Sequence, residues 1–300
     1  MIKYRTAIAL ASKVEAYRYK PSKRFWRAVG KTAEAMKTTT ANTDEKNRLW
    51  FVQTFAQATT IYLDAYQQMS GGKFMDGWCT LEQAELSFGR LLDNVFIESL
   101  VPLIGQRAEL VALWQSLFPY KHFVSPGMRF KKWACSICGK QSTPIDPCGH
   151  IRNRVYDGQL CYRIIQEFEP LEVSIVTDPV QKYSVLQLDY DYPVVQYVLD
   201  HLSGPFQPWR GEWTHKRHPH SKFADRSHDQ PCPCRSGLRY RECCLPTDGV
   251  RLPHFQMTVT DGPCIGPLGD LLVTYPPDKR QTAEYPRTCR VNLLRAGDNR

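Results

Sequence analysis

Apolar residues recur at steps of three and four along the first 130 residues, which is the period of an amphipathic α-helix. Five segments show this period: 4–18, 22–38, 44–70, 80–101 and 107–118. Asn42 or Thr43 can cap the third segment, and a capping box at Thr80 predicts where the fourth begins. Such stripes normally form the core between packed helices. The pattern therefore predicts a helical domain over residues 1–130.

The pattern changes after residue 130, where long helical stripes are replaced by short alternating runs. Alternation with a period of two is typical of β-strands. Four strands are expected, at 171–176, 183–188, 254–260 and 271–275, and one short helix is expected at 192–202. The fold class predicted from these patterns is α+β and mainly α, with a helical N-terminal domain followed by small modules.

Shifts in composition divide the remaining chain into four further segments. Residues 203–231 are rich in proline, histidine, tryptophan and charge without periodicity, which is typical of a linker. The last 50 residues are rich in proline and glycine. The expected organisation is a first module with short strands at 131–190, a basic aromatic linker at 191–227, a cysteine knuckle at 228–246 and a Pro/Gly-rich tail at 247–300.

Composition is that of a globular protein. Of the 300 residues, 42% are apolar and 23% are charged, enough for a sizeable core and a solvated surface. No apolar run reaches the length of a membrane span. The apolar stretch at 7–11 is too short for the core of a signal peptide. We therefore expect a cytoplasmic protein without a membrane span.

Eight of the eleven cysteines fall in two tight clusters, at 135–161 and 232–244, which leaves Cys79, Cys264 and Cys289 apart. Disulfide frameworks belong to oxidising compartments, whereas clustered cysteine pairs in a cytoplasmic chain more often hold metal. Thiolates at these spacings are typical zinc ligands. The sequence thus predicts two Zn²⁺ ions, one in each cluster, and small modules that the metal stabilises.

The second cluster offers four thiols in one short segment: Cys232, Cys234, Cys243 and Cys244. Pro233 keeps the first pair extended, and a Ser-Gly turn lets the chain reverse. A short helix over 238–244 can then bring the second pair back to the first. Four thiolates complete a tetrahedral site with no open position, which is the form of a structural and not a catalytic zinc site.

This segment resembles the SEC-C motif, best known from the C-terminal tail of the SecA translocation ATPase. The resemblance covers 231–244 and keeps all four cysteines, the Ser-Gly turn and Tyr240. It departs from the family pattern at Arg235, Leu238 and Glu242, which alters the charges around the metal site. The resemblance implies zinc held by the four cysteines and docking on a protein or ribosome partner. A purely structural staple is the alternative.

The first cluster offers five donors for four places: Cys135, Cys138, Cys148, His150 and Cys161. Its Cys-x-x-Cys-Gly run has the form of a zinc knuckle, in which glycine permits a left-handed turn. One of the last three donors is therefore a spectator. Cys161 is also expected to begin a helix over 162–167, where the helix dipole would favour a reactive thiolate. No carboxylate follows His150 in the manner of zinc deaminases, so catalysis is not expected.

Two patterns point to nucleic acid. Arg210 and His215 have the R-x4-H spacing used by HEPN ribonucleases, and they would be the catalytic pair of that alternative. The same stretch interleaves aromatic residues with cations, a composition suited to single-stranded RNA. The cations expected to meet RNA are Arg210, Lys216, Arg217, Lys222, Arg226, Arg239 and Arg241. The formal net charge of +9, about +6 with both zinc sites filled, is compatible with nucleic acid, a ribosome or an acidic protein.

A short stretch at 172–179 resembles a strand phrase of phage head-maturation proteases, without a recognisable catalytic His–Ser pair. It suggests a bacterial or phage-related origin. Together the patterns favour a non-catalytic zinc-binding adapter that contacts a protein or ribosome. An RNA-binding protein, or a HEPN-like ribonuclease effector of a defence or toxin system, is the alternative.

Overall fold

The computed structural model describes residues 6–186 and 190–259. These residues form two compact units, one of 6–115 and 120–186, and one of 116–119 and 190–259. The first cysteine cluster therefore shares a unit with the N-terminal helices. The boundary expected at residue 130 does not separate two units, because hydrogen bonds attach the loops of that cluster to the helices.

Five α-helices come first in the chain. The first three follow the predicted segments to within a few residues, whereas the fourth begins at residue 74 instead of 80 and the fifth at 101 instead of 107. They are α1 (Ala7–Ala16), α2 (Lys23–Thr39), α3 (Thr43–Ser70), α4 (Phe74–Asp93) and α5 (Val101–Ser116). The side chains of Thr6, Ser22 and Asn42 cap the first three helices. Asn42, and not Thr43, caps α3 by accepting the amide of Glu45 at 2.9 Å. Each cap satisfies an amide donor that the helix itself leaves unpaired.

Helix α4 begins earlier than the capping box predicts. Thr80 lies inside this helix, which starts at Phe74 just after a glycine turn. Tertiary packing explains the earlier start. Gly77 approaches α3 so closely that a Cβ atom there would lie 2.5 Å from Cγ of Met69. The absence of a side chain at Gly77 lets the first turn of α4 pack on the end of α3.

A long antiparallel ribbon follows the helices. Its strands are β1 (Phe123–Cys135) and β5 (Arg163–Val176), with the short β2 (Gln141–Ser142) on the far edge of β1. Between β2 and β5, β3 (Val155–Tyr156) and β4 (Gln159–Leu160) form a separate small hairpin. The strand expected at 171–176 lies inside β5.

Two sequence expectations fail in this region. The helix expected over 162–167 is wrong, because Ile164 and Ile165 pair with Ala134 and Trp133 of β1. Their β-branched side chains suit a strand better than an isolated short helix. The strand expected at 183–188 is reduced to a single bridge between Phe123 and Val185, and its last two residues lie outside the described residues.

The β3–β4 hairpin is attached to the helices by its tip. Asp157 accepts hydrogen bonds from the Thr43 hydroxyl at 2.9 Å and from Lys46 Nζ at 2.6 Å. The amide of Gly158 donates to Asn47 Oδ1 at 2.7 Å. These bonds join the loop that carries part of the first cysteine cluster to the start of α3.

The second unit contains α6 (Pro193–His201) and two antiparallel strands, β6 (Trp209–His218) and β7 (Val250–Val259). Residues 191–227, expected as a linker, thus contain a helix and a full strand. Strand β6 could not be predicted from the sequence, because its buried side chains do not all lie on one face. Trp209 and Trp213 are buried on one face, whereas His218 is buried on the other, so no simple alternation results. The strand expected at 254–260 falls in β7 as far as Val259. Residue 260 and the strand expected at 271–275 lie outside the described residues.

Candidate metal centres

The four cysteines of the second cluster converge where β6 ends and β7 begins. The Sγ atoms of Cys232, Cys234, Cys243 and Cys244 all lie within 4.8 Å of one another. Cys243 Sγ is 3.4 Å from Cys234 Sγ and 3.8 Å from Cys244 Sγ. Four sulfurs bound tetrahedrally to one zinc ion would lie about 3.8 Å apart, given a Zn–S distance of about 2.3 Å. The group therefore has nearly the spacing of a four-thiolate zinc site.

Two tight turns place these thiols. The amide of Arg235 donates to the carbonyl of Cys232 at 2.9 Å, and the amide of Cys232 donates to the carbonyl of Leu238 at 2.8 Å. Arg235 and Gly237 adopt positive φ angles of 61° and 84°. Arg235, one of the departures from the SEC-C pattern, thus occupies a left-handed conformation that favours glycine. The expected helix over 238–244 is reduced to one 3₁₀ turn, Tyr240–Glu242.

A small core forms around the second cluster, and it includes two of the cysteines. Cys232 and Cys244 are buried together with Tyr240, Val250 and Leu252. Two of the four candidate ligands are therefore part of the core that packs around the start of β7. A unit this small buries little apolar surface, so a bound metal would supply much of its folding free energy.

His220 supports this core without belonging to the group of four thiols. Its Nε2 lies 2.8 Å from the carbonyl oxygen of Thr247, and its Nδ1 lies 2.5 Å from the hydroxyl of Tyr240. Because a carbonyl only accepts, Nε2 carries a proton, and in the neutral imidazole Nδ1 then accepts from the tyrosine hydroxyl. Sequence reasoning missed this support, since nothing in the spacing of the two residues marks them as neighbours.

The thiols of the second cluster differ in acidity. Burial raises the pKa of Cys232 to about 12. At Cys234 burial also opposes ionisation, but hydrogen bonds to Ser236 and Cys232 outweigh it and lower the pKa to about 6. One thiol is thus easily ionised while a buried neighbour keeps its proton. A cation at the centre would stabilise the remaining thiolates, as zinc does when it binds cysteine.

The first cluster brings together four of its five candidate donors. Cys135, Cys138, Cys148 and His150 place their ligand atoms within 4.8 Å of one another. Cys148 Sγ lies 3.8 Å from His150 Nδ1. Cys161 is not part of this group of four, although its Sγ lies 3.9 Å from that of Cys135.

The turn after β1 shapes the first half of this group. Gly139 adopts a φ of 71°, and its amide donates to the carbonyl of Cys135 at 2.9 Å. Burial opposes ionisation of Cys135, but hydrogen bonds from the amides of Cys138 and Ile137 outweigh it and lower the pKa to about 7. The left-handed turn at Gly139 is the geometry that the Cys-x-x-Cys-Gly run predicts.

Cys161 does not lie at the start of a helix. Its amide donates to the carbonyl of Arg154 and its carbonyl accepts from Asn153, both at 2.8 Å, in the turn before β5. Burial, followed by the hydrogen bond with Cys135, raises the pKa of its thiol to about 11. The expectation of a dipole-activated thiolate is therefore wrong, because no helix is there to supply the dipole.

A buried asparagine attaches the loop of the first cluster to the end of α4. Asn94 Nδ2 donates to the carbonyl of Asn153 at 2.7 Å, and its Oδ1 accepts the amide of Val155 at 3.1 Å. These two bonds hold the segment between His150 and Cys161 on the helical bundle. The helical bundle thus positions this half of the site.

The structure separates the two residues of the ribonuclease hypothesis. Arg210 lies opposite Thr258 and His215 lies opposite Pro253 on β6. Side chains alternate along a strand, so residues five positions apart point to opposite faces. A HEPN-like pair needs both side chains on one surface. Arg210 and His215 therefore do not form that catalytic arrangement.

Several of the cations expected to bind RNA make contacts within the second unit. Asp229 lies 2.6 Å from Arg241 and 3.8 Å from Arg239. Arg217 and Arg226 donate to backbone carbonyls at 3.3 and 3.1 Å. All seven members of the set are exposed. The basic surface of this unit is thus partly neutralised from within.

Four thiols gathered on a short knuckle could hold a metal ion, in the arrangement typical of a structural site. The family model of the SEC-C motif matches residues 230–246, which confirms the resemblance predicted from the sequence. The match covers the second cluster and none of the first. No curated protein and no solved structure shows significant similarity to the chain. Among the described residues, no helix has both the length and the apolar character needed to cross a membrane.

Proposed function

We propose that this chain is a non-catalytic adapter that holds two structural Zn²⁺ ions and docks on a protein or ribosome partner through its SEC-C knuckle. The observation that carries the proposal is the group of four thiols within 4.8 Å, on the segment that matches the SEC-C motif. Four thiolates fill every position of a tetrahedral zinc ion and leave none for a substrate. A site of this kind stabilises structure.

The second ion would be held by three thiolates and an imidazole, from Cys135, Cys138, Cys148 and His150. Cys161 would then be the spectator, since it lies beside the group and outside it. Both carboxylates of the same loop are paired, Asp146 with Lys140 at 2.8 Å and Asp157 with Lys46 at 2.6 Å. These ion pairs do not supply the free general base that a catalytic zinc needs.

The knuckle exposes one large apolar side chain among cations. Leu238 is 53% exposed, and Arg235, Arg239 and Arg241 lie close to it in sequence. Binding energy at protein interfaces is concentrated in a few central anchors, while surrounding charges tune rate and orientation. We propose Leu238 as the central apolar contact with the partner, and the three arginines as the charged residues that surround this contact. Because Arg235 and Leu238 depart from the SEC-C pattern, we infer that they select the partner of this chain.

The experiment is affinity capture with the full, zinc-loaded chain from bacterial lysate, with and without nuclease, followed by binding measurements on the captured partner. Leu238→Asp should abolish capture and leave the zinc content unchanged, because Leu238 is not a ligand. Leu86→Asp is the matched control, since Leu86 on α4 is 52% exposed. Partner binding that survives Leu238→Asp would contradict docking through the knuckle.

Salt dependence separates a protein partner from RNA. Binding to single-stranded RNA should weaken with a log–log slope near −0.7 for each phosphate contact, roughly −3.5 for five engaged cations. A protein anchored on Leu238 should respond modestly, and Arg239→Ala with Arg241→Ala should lower its affinity without releasing zinc. A steep slope together with loss of capture after nuclease treatment would favour RNA instead.

A further inference from the structure

The β1–β5 ribbon has one face that is apolar and exposed along most of its length. Four cross-strand pairs make up this apolar face: Val124–Ile175, Pro126–Val173, Met128–Pro170 and Phe130–Phe168. Six large side chains on or beside it are between 44% and 73% exposed: Met128, Phe130, Phe168, Leu171, Val173 and Ile175. Contiguous apolar exposure on this scale marks an interaction surface.

The opposite face of the ribbon is polar. Arg129 and Lys131 lie 3.7 and 3.1 Å from Glu169, and Ser125 pairs with Ser174 across the strands. An antiparallel sheet with this alternation normally keeps its polar side in water and its apolar side against a core. Two strands alone are marginally stable, so the apolar face needs a cover.

We propose that the apolar face packs against the same face of a second copy of this chain, in a two-fold symmetric dimer. The four pairs contain no charged side chain, so two copies can meet without burying an unpaired charge. A two-fold axis also requires a surface that complements itself, and an uncharged apolar strip satisfies that requirement. With roughly 100 Å² exposed on each of the six large side chains, two apposed faces would bury about 1,200 Å², the lower bound of specific interfaces.

The alternative of joining two ribbons edge to edge is disfavoured by the sequence of the strands. Pro126 and Pro170 lack the amide that a new ladder would need, one on each strand. Three acidic residues, Glu167, Glu169 and Glu172, lie along β5, and a two-fold axis at this edge would bring them close to their own copies. Such features block edge pairing. The apolar face is therefore the surface that meets the second copy.

The test is sedimentation equilibrium of the full, zinc-loaded chain, from roughly 1 to 100 μM, a range that spans the affinity expected of a small interface. The expected result is a reversible dimer of the 34.6 kDa chain. Phe168→Lys with Val173→Lys should weaken the dimer at least a hundredfold, because both charges would be buried at its centre. Ile8→Lys with Leu86→Lys is the matched control, since both residues are about half exposed on helices, and it should dimerise as the wild type does.

Each other outcome overturns the proposal. A wild-type chain that stays monomeric throughout shows that the face is covered by the chain itself or by another partner. A dimer that persists in the double lysine variant places the interface elsewhere. Monomers that bind neutral lipid vesicles through this face would make the occupant a membrane surface.

A milder variant guards against misfolding. Val173→Thr with Ile175→Thr keeps β-branched side chains, and it should weaken the dimer about tenfold while zinc content and helical circular dichroism stay unchanged. The proposal goes beyond the proposed function and does not rest on it. The apolar face and the knuckle belong to different units, so partner capture by the knuckle can succeed while dimerisation fails, and the reverse.

Discussion

The two cysteine clusters offer similar donors in different surroundings. The loop of the first cluster is held on the helical bundle by Asn94 and Asp157, so a formed domain positions its ligands. The second cluster lies between β6 and β7 in the chain, where Cys232 and Cys244 share a small core with the start of β7. Two of its four donors are thus buried, whereas in the first group of four only Cys135 is buried. A bound metal would therefore add mainly to existing packing at the first cluster and would form a larger part of the packing at the second. Similar ligand spacing can therefore be coupled to folding to different degrees.

The largest effect should follow from losing one ligand of the second cluster. Cys234→Ser should cost one equivalent of zinc out of two, and with it a binding free energy on the order of 10 kcal/mol that small zinc modules draw on for folding. Hydrogen exchange should then rise sharply over 228–259 and little in α1 to α5. Elemental analysis and exchange mass spectrometry measure the two effects.

Cys79→Ser is the control, because this cysteine lies outside both clusters. Loss of the helical circular dichroism in Cys234→Ser would contradict the different coupling of the two clusters to folding.

A matched pair of serine variants tests the spectator in the first cluster. Cys138→Ser should lose one equivalent of zinc, whereas Cys161→Ser should keep both, because Cys161 lies outside the group of four. Exchange over β3 and β4 should rise only moderately in Cys138→Ser, since hydrogen bonds to the helices remain. Zinc loss in Cys161→Ser would show that this thiol is a ligand and that Cys148 or His150 is the spectator.

Removing the buried asparagine should weaken the first cluster selectively. Asn94→Ala removes the side-chain partner of three backbone groups, the carbonyls of Arg90 and Asn153 and the amide of Val155. We therefore expect a loss of about 1–3 kcal/mol in unfolding free energy. The rate of zinc release should increase at the first cluster and stay unchanged at the second. A chromophoric chelator that binds the released zinc measures both rates. Asn42→Ala costs about 1 kcal/mol through the lost cap of α3 and should alter neither rate. Equal acceleration at both clusters would contradict the separate anchoring.

The smallest effect concerns pH. Hydrogen bonds from Lys46 and Thr43 lower the pKa of Asp157 in the folded chain. The stability that this carboxylate contributes is therefore present above its unfolded pKa of about 3.9 and is lost as the pH falls through the lower folded value. Asp157→Asn should be less stable than wild type by a constant amount near neutral pH, and the difference should shrink below about pH 4. Denaturant unfolding of both proteins at each pH measures this difference in stability. A difference that stays constant at every pH would exclude the Asp157 carboxylate as the source of the pH dependence.

Much of the fold could be predicted where the signal is local. The stripe at 44–70 placed α3 to within a residue, because twenty or more residues at helical period leave few other ways to bury their apolar side. The SEC-C ligands could be predicted for a similar reason, since metal chemistry restricts residue type and spacing together. The site was less predictable where a residue plays a supporting part. His220 and Asn94 are joined to the clusters by contacts between residues far apart in the chain.

The helical N-terminal region, the two cysteine clusters and the SEC-C motif could all be predicted from the sequence alone. Each depends on a period or a spacing that neighbouring residues contain. The three-dimensional arrangement was needed to show that the first cluster belongs to the helical unit, that Cys161 lies outside the group of four donors, and that Arg210 and His215 face opposite ways. Only the structure showed that one side of the β1–β5 ribbon is apolar and exposed. These features depend on strand pairing and on hydrogen bonds between residues that are distant in the chain. Local patterns of residues do not indicate which distant segments will come into contact.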